Sequence, residues 1–274
     1  MRLLRWISAA AIVAMTVALH STEAFGIDDR GGTGVDPSTA TISAGVQFGR
    51  PPSGKGAADS SGCTWIPGGE AATFDSSVSD EKLINGKPYR LFLKICPTYN
   101  NGIWVPEASN INLGVNAVAK VKEQLAKPSI GSAPGTDRGI VNVGMWLWTD
   151  PAEYTAHSIT AWVPTLTGIA WSTTSARPVR LVYSSGEPDG QPLVCRGPGR
   201  KWEPGFGDEL ASDCMYTYRH SSEITASDTF AARLSIVWSI TSTSNVGPGA
   251  NIGEYTTSTD QAITIKEIQA VITH

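Results

Sequence analysis

The segment that decides the fold is residues 230–240, which read Phe-Ala-Ala-Arg-Leu-Ser-Ile-Val-Trp-Ser-Ile. Every second side chain along it is apolar, namely Phe230, Ala232, Leu234, Ile236, Trp238 and Ile240. Because side chains of a β-strand alternate between its two faces, these six share one face. The segment therefore predicts a strand that turns one face to a hydrophobic core.

Shorter strand-like segments surround it. After residue 136 they are 140–148, 158–163, 168–171, 179–183 and 262–272, the last with a bulge near Lys266 and Glu267. Before it, 89–96 and 103–105 are predicted strands, preceded by turns at Asn85-Gly86 and at residues 100–102. About six or seven strands separated by turn residues in 136–274 predict a β-sandwich.

One segment, about 106–127, has the pattern of a helix. Pro106 suits a first helical turn and Pro128 ends the segment, while apolar residues fall near one face: Ile111, Val115, Val118 and Leu125. We interpret 63–135 as a small α+β region that contains this helix, and 136–274 as the β-sandwich. The predicted fold class is therefore mainly β, with a small α+β N-terminal region.

The first 26 residues have the three parts of a secretory signal peptide. Arg2 and Arg5 precede the apolar run 6–19, and small residues follow it up to Gly26. Such a run spans about 21 Å as a helix, less than the roughly 30 Å of a bilayer core. We expect cleavage after residue 24 or 26, no permanent membrane span, and a secreted or cell-surface protein. Residues 27–62, rich in Gly, Ser, Thr and Pro, are expected to be a flexible leader.

Four cysteines in an exported chain predict two disulfides. Three pairings exist, and the sequential one, Cys63 with Cys96 and Cys195 with Cys214, follows their grouping along the chain. The absence of close pairs such as Cys-x-x-Cys argues against zinc. Each bridge should contribute about 3–4 kcal/mol by restricting the unfolded chain.

Charge and motifs exclude several function classes. The net charge is −4, so no basic excess exists to neutralise a nucleic acid backbone. The sequence contains no complete catalytic or cofactor-binding motif, and we expect no cofactor. Candidate partners are a cell-envelope glycan or a surface protein, and the oligomeric state stays open.

Residues 179–186 lead into Asp189-Gly190, and then come Cys214-Met-Tyr-Thr-Tyr218 and the strand 230–238. This order resembles the polycystic-kidney-disease (PKD) type of immunoglobulin-like β-sandwich, in which a strand ending in Trp-Asp-Phe-Gly-Asp-Gly precedes a Thr-Tyr segment and an alternating strand. The resemblance covers about 170–272. Tyr183 stands in place of the usual Trp, and Glu187-Pro188 interrupts the turn.

The wider layout is similar to a group of bacterial secreted proteins of unknown function that carry this domain. Shared features include the Trp146-x-Trp148 strand and the segment from Val194 to Gly199. The resemblance implies an extracytoplasmic, non-catalytic module, supplies no ligand and offers no active site to carry over.

Tryptophans are the most suggestive side chains. Trp146 and Trp148 share one face of their strand, and we favour core packing over a binding platform for this pair. Trp202 differs, since it lies in a Gly- and Pro-rich loop closed by Cys195 and Cys214. With Arg200 and Lys201 beside it, this loop is the candidate binding site.

Carboxylates of the same loop are weaker candidates. Asp208, Glu209 and Asp213 cluster in sequence, and we interpret them as surface charge, with calcium coordination or catalysis as alternatives. A glycosidase would need two carboxylates about 5–10 Å apart on a rigid frame.

These observations favour a non-catalytic structural or binding module at the cell surface. Two alternatives stay open. One is a hydrolase of cell-surface polymers that uses carboxylates assembled by the fold, and the other is an extracytoplasmic subunit of an envelope export machine, marked by an exposed edge strand or apolar patch.

Overall fold

The structure is a computed structural model, and it describes residues 41–42, 46–54, 56–71, 79–107, 113–206 and 210–268. The predicted signal peptide, Asp208 and Glu209 lie outside these ranges. By its internal contacts, Gly34–His274 is one compact unit. None of the described helices is long and apolar enough to cross a membrane.

Strands dominate the described residues. In chain order they are β1 Thr41–Ile42, β2 Gln47–Phe48, β3 Thr64–Pro67, β4 Glu81–Ile84, β5 Lys87–Ile95, β6 Asn100–Pro106, β7 Gly131–Ala133, β8 Gly139–Ile140, β9 Gly144–Trp148, β10 His157–Thr165, β11 Gly168–Ser184, β12 Leu193–Cys195, β13 Met215–Thr217, β14 Phe230–Ser244, β15 Ala250–Ile263 and β16 Ile265–Lys266. The helix α1 is Leu113–Gln124, and short 3-10 turns lie at Gly68–Glu70, Pro151–Glu153 and Ser222–Ile224. The prediction of a mainly β fold is confirmed.

The largest sheet has the order β15-β14-β11-β10-β2, with β12 paired to the far end of β11. All its pairs are antiparallel. The predicted strand 230–240 lies in β14, an inner strand between β15 and β11, and its six alternating side chains are at most 1% exposed. Each contributes up to about 3 kcal/mol by leaving water, so β14 organises the core as predicted.

Three smaller sheets complete the fold. Strands β1, β6, β5 and β3 form one sheet with β4 on β5, strands β13, β9 and β7 form a second, and β16 pairs with β8. The sheet of β9 contributes Met145 and Leu147 to the core cluster of β14. It therefore forms a second layer over one half of the large sheet.

Helix α1 packs against β10 and β11 of the large sheet. Its buried side chains are Leu113, Ala117 and Val121, which repeat every four residues and so form one face. The predicted face was wrong at Val115, which is 60% exposed. The predicted start was also wrong, because Pro106 ends β6, where it pairs with Tyr89.

One predicted turn is confirmed, whereas a second predicted turn and one predicted strand differ from the structure. The Asn85-Gly86 turn is confirmed, and both residues have the positive φ that a tight hairpin requires. Residues 100–102 are not a turn but the start of β6, because they pair with the end of β5. The predicted strand 140–148 is interrupted by a turn at 141–143, where Asn142 has a positive φ.

Strands β11 and β15 are longer than the segments predicted for them, because polar residues interrupt the apolar alternation that predicts a strand. Segments 168–171 and 179–183 belong to the single strand β11, whose Ser172 is buried and bonded to Ser242 at 3.0 Å. Strand β15 was predicted only from residue 262. Its Thr-rich part is held by β14 and by the ion pairs Arg180–Glu254 and Arg233–Asp260.

The predicted leader and the predicted division near residue 135 both differ from the structure. Within 27–62, β2 pairs with β10, and the buried Asp59 carboxylate accepts hydrogen bonds from the Cys63 N–H and the Trp65 indole. Helix α1, assigned to the first region, packs on strands of the second. The two predicted regions therefore share one core.

Both disulfides have the sequential pairing. Cys63 is bonded to Cys96, and Cys195 is bonded to Cys214. The first bridge joins the residue before β3 to the residue after β5, two strands that pair with each other. It therefore cross-links β3 and β5 at one end of the pair.

We predict that the double variant Cys63→Ala/Cys96→Ala loses about 3 kcal/mol of unfolding free energy, because the loop between the two cysteines regains its freedom in the unfolded chain. Urea denaturation followed by circular dichroism measures the loss. Non-reducing peptide mapping of the wild type should find these two cysteines joined. A Cys63–Cys195 or Cys63–Cys214 peptide would contradict the fold described above.

Candidate functional site

Strand β9 has two faces with different roles. Met145 and Leu147 are at most 1% exposed and lie in the core, so the alternation turns Trp146 and Trp148 to the opposite face. Trp146 is 7% exposed and therefore buried, as the preference for core packing predicts, whereas Trp148 is only half-buried. Both indoles also contribute to the lining of a surface cleft.

Small residues on the neighbouring strands make room for the indoles. Trp148 pairs with Gly131 of β7, and Trp146 pairs with Ala133 of the same strand. A Cβ at Gly131 would overlap the Trp148 indole, so this indole lies across the glycine. On the other side, Met215 of β13 pairs with Trp146 and packs over Gly144. The result is a floor of aromatic and thioether surface.

The loop between Cys195 and Cys214 is fixed to β9 from both sides. The Leu147 N–H donates to Cys214 O at 2.9 Å, and the Thr149 N–H donates to Pro198 O at 2.8 Å. Gly199 has a positive φ, and a Cβ there would overlap the Leu147 carbonyl. The Gly-Pro-Gly sequence thus lets the loop backbone approach the strand closely.

A second turn folds the loop's aromatic residues towards that floor. The Phe206 N–H donates to Glu203 O at 3.1 Å, with Pro204 and Gly205 between them and a φ of +107° at Gly205. Proline followed by a glycine of positive φ is the pattern of a type II turn. Phe206 after the turn stacks on Trp146, with ring centroids 5.8 Å apart and planes inclined by 28°.

Together these elements enclose a cleft of about 830 Å³, which we call the aromatic cleft. Its apolar and aromatic lining comprises Trp146, Trp148, Trp202, Phe206, Leu210 and Met215, with Ser132, Asn142 and Thr217 as polar members. Trp202 is 38% exposed and Val143 is 43% exposed at the cleft. A concave surface that combines several aromatic side chains with polar groups is a candidate ligand site.

Two of the three predicted binding residues lie beside the cleft rather than in it. The Arg200 guanidinium lies 4.4 Å from the centroid of the Phe206 ring, and Lys201 is exposed. Within the described part of the chain, neither cation has a carboxylate within ion-pair distance. Trp202 itself lines the cleft, so the predicted loop and the Trp146-x-Trp148 strand converge.

A buried carboxylate supports the β13 side of the cleft. Glu187 accepts hydrogen bonds from the Arg219 N–H at 2.6 Å, the His220 N–H at 2.7 Å and the Tyr216 hydroxyl at 2.9 Å, and lies 3.0 Å from His220 Nδ1. Burial alone would raise the pKa of Glu187, but these donors outweigh it and hold the pKa below its usual value. Glu187 is therefore an ionised anchor.

Tyrosines extend this anchor into the core. The Tyr183 and Tyr218 hydroxyls are 2.6 Å apart, and Tyr218 donates onward to Ser185 O at 3.3 Å. Burial raises the pKa of Tyr183 to about 12 and also raises that of Tyr218. Both stay neutral at physiological pH and serve as hydrogen-bonding core residues.

The carboxylate candidates do not assemble in the described residues. Asp208 and Glu209 lie outside them, and Asp213 is exposed without an ion pair. Within the ranges that the structure describes, no group of three or more His, Cys, Asp or Glu side chains could hold a metal ion. The depressed pKa of Glu187 is opposite to what a general acid requires.

Sequence reasoning missed Phe206, Met215 and Gly131. The Pro204-Gly205 dipeptide signals a turn that brings a following aromatic residue back towards Trp202, so Phe206 could have been found. Met215 and Gly131 become part of the site only through pairing with β9, which no local pattern reveals.

Comparisons with models of known families, with curated proteins and with solved structures found no match to this chain.

We predict that Glu187→Gln lowers the free energy of unfolding at pH 7 by about 2 kcal/mol, because it weakens hydrogen bonds to a charged acceptor. Since the folded pKa of Glu187 is depressed, its contribution is complete above the unfolded pKa of about 4.3 and is lost as pH falls through the folded value. Urea denaturation between pH 7 and 3 should therefore show a steeper acid loss for the wild type. Glu223→Gln, an exposed control, should behave as the wild type, and a Glu187→Gln curve parallel to the wild type would contradict the anchor.

We also predict that Gly131→Ala displaces the Trp148 indole, because the new methyl group occupies its place, at a cost of about 1 kcal/mol. Near-ultraviolet circular dichroism and tryptophan fluorescence report the change. Gly247→Ala is the matched control, since nothing lies within 4 Å of a Cβ built there. Unchanged spectra for Gly131→Ala would mean that the indole does not lie across residue 131.

Proposed function

We propose that the protein is a secreted or cell-surface module that binds a carbohydrate chain in the aromatic cleft without catalysing a reaction. The observation that carries this proposal is the convergence of Trp146, Trp148 and Trp202 on one concave surface. The C–H faces of a sugar ring are flat and apolar, so they pack on indole faces, while the ring hydroxyls stay accessible to polar groups.

Rigidity of the cleft supports a binding role. The floor belongs to a paired strand whose other face is in the core, and the wall is closed by the Cys195–Cys214 disulfide. Side chains that are already ordered lose little entropy when a ligand binds. The paired cysteines also fit an oxidising, extracytoplasmic location.

The two-layer packing of the β9 sheet on the large sheet supports an immunoglobulin- or PKD-like module as part of the same proposal. A hydrolase would need two carboxylates in the cleft, and its described lining contains none. A subunit of an export machine would use a different surface, the edge of β15, to which no other described strand is paired.

The variant Trp202→Ala tests the proposal directly. We expect the wild type to bind at least one member of a panel of linear oligosaccharides: cellotetraose, tetra-N-acetylchitotetraose, mannotetraose, trigalacturonate and a hyaluronan tetrasaccharide. Loss of one indole should weaken that binding about tenfold, which corresponds to about 1.4 kcal/mol. Isothermal titration calorimetry measures the dissociation constants.

Tyr99→Ala is the control, because Tyr99 is 43% exposed and lies outside the cleft lining. It should bind as the wild type does. Equal affinity of Trp202→Ala and the wild type would overturn the proposal, as would the failure of every panel member to bind. Binding that depends on β15 instead would favour the export-machine alternative.

A further inference from the structure

The cation beside the aromatic cleft is held in an unusual way. The guanidinium carbon of Arg200 lies 4.4 Å from the centroid of Phe206, and Phe206 stacks in turn on Trp146. A cation over a ring face is attracted by the negative potential of that face. Arg200 is thus positioned at the edge of the cleft by an aromatic stack.

Three other arginines of the fold are held by carboxylates. Arg180 bonds to both oxygens of Glu254, and Arg233 bonds to both oxygens of Asp260. Arg90 lies between Glu81 and Glu107. Those charges are neutralised within the protein. Arg200, like Arg177 and Arg196, has no such partner among the described residues, but Arg200 lies over an aromatic ring that lines the cleft.

The contact with Phe206 provides no oxygen acceptor for the guanidinium N–H groups. A planar fork of N–H donors matches the two oxygens of a carboxylate and binds them with two parallel hydrogen bonds. Lys201 adds a second exposed cation next to it in the chain. The acidic groups of the same loop with described positions, Glu203 and Asp213, are exposed and form no ion pair with either cation.

We propose that the aromatic cleft selects an acidic saccharide, with a sugar ring packed on the indoles of Trp148 and Trp202 and its carboxylate bound by Arg200. This inference rests on the proposed carbohydrate-binding function and adds the chemical class of the ligand. A neutral sugar would occupy the same aromatic surface but leave the guanidinium without an anion. The protein carries a net charge of −4, so the preference arises locally from these two cations and not from its total charge.

Trigalacturonate and its fully methyl-esterified form test the inference, because they share one backbone and differ in charge. We expect the wild type to bind the acid at least about tenfold more tightly than the ester, as a charge-assisted bidentate contact would give. Raising the salt concentration should weaken binding of the acid and leave binding of the ester unchanged, because screening acts on charges. Isothermal titration calorimetry on the full mature chain provides both constants.

Variants separate the roles of charge and shape. Arg200→Gln should reduce the preference for acid over ester to about threefold or less, and Arg200→Lys, which keeps the charge without the planar fork, should give an intermediate value. Arg177→Gln is the matched control, because it removes the same charge from an exposed residue of β11 that lies outside the cleft lining. It should retain the wild-type preference.

The outcomes distinguish the two proposals. If acid and ester bind equally, or Arg200→Gln keeps the full preference, the inference about acidic ligands is overturned. The carbohydrate-binding function would still stand in that case, provided that Trp202→Ala weakens both ligands. If neither ligand binds, or Trp202→Ala weakens neither, both proposals fail together.

Discussion

The attachment of β9 to the core is the constraint on which the site depends. Met145 and Leu147 bury their side chains against the large sheet. Because side chains alternate along a strand, Trp146 and Trp148 lie on the opposite, outer face. Phe206 covers the Trp146 indole, whereas the Trp148 indole stays half-exposed. Glycine and alanine on the flanking strand β7 make room for these indoles, so the same contacts that stabilise the fold create the floor of the cleft.

The wall of the cleft depends on the attachment of the loop between Cys195 and Cys214 to β9. Three features bring Trp202 and Phe206 over the floor: the Cys195–Cys214 bridge, backbone hydrogen bonds from β9 and from the residue after it, and the turn at Pro204-Gly205. Glu187 anchors the segment after β13 by accepting hydrogen bonds from the backbone N–H groups of Arg219 and His220. Each element lowers the freedom of the cleft before any ligand arrives, which is the physical basis of the proposed binding function.

The features that a local sequence pattern encodes could be predicted, whereas those that depend on strand pairing could not. The period of two in 230–240, the Asn85-Gly86 turn and the sequential disulfides were all predicted from neighbouring residues and are confirmed. The full lengths of the Ser- and Thr-rich strands β11 and β15 were not predicted, because their polar side chains break the apolar alternation. The cleft was half predicted: Trp202, Arg200 and Lys201 marked the loop, but its meeting with Trp146 and Trp148 depends on long-range contacts.

The central claim is that the indoles facing the cleft, and not those in the core, contact the ligand. Fluorine NMR of protein labelled with 5-fluorotryptophan tests it most directly, with resonances assigned by single Trp→Phe variants and trigalacturonate as the titrant. We predict that the resonances of Trp148 and Trp202 shift on titration, whereas those of the buried Trp162 and Trp238 stay in place. Shifts at Trp162 or Trp238 with none at Trp148 and Trp202 would contradict it.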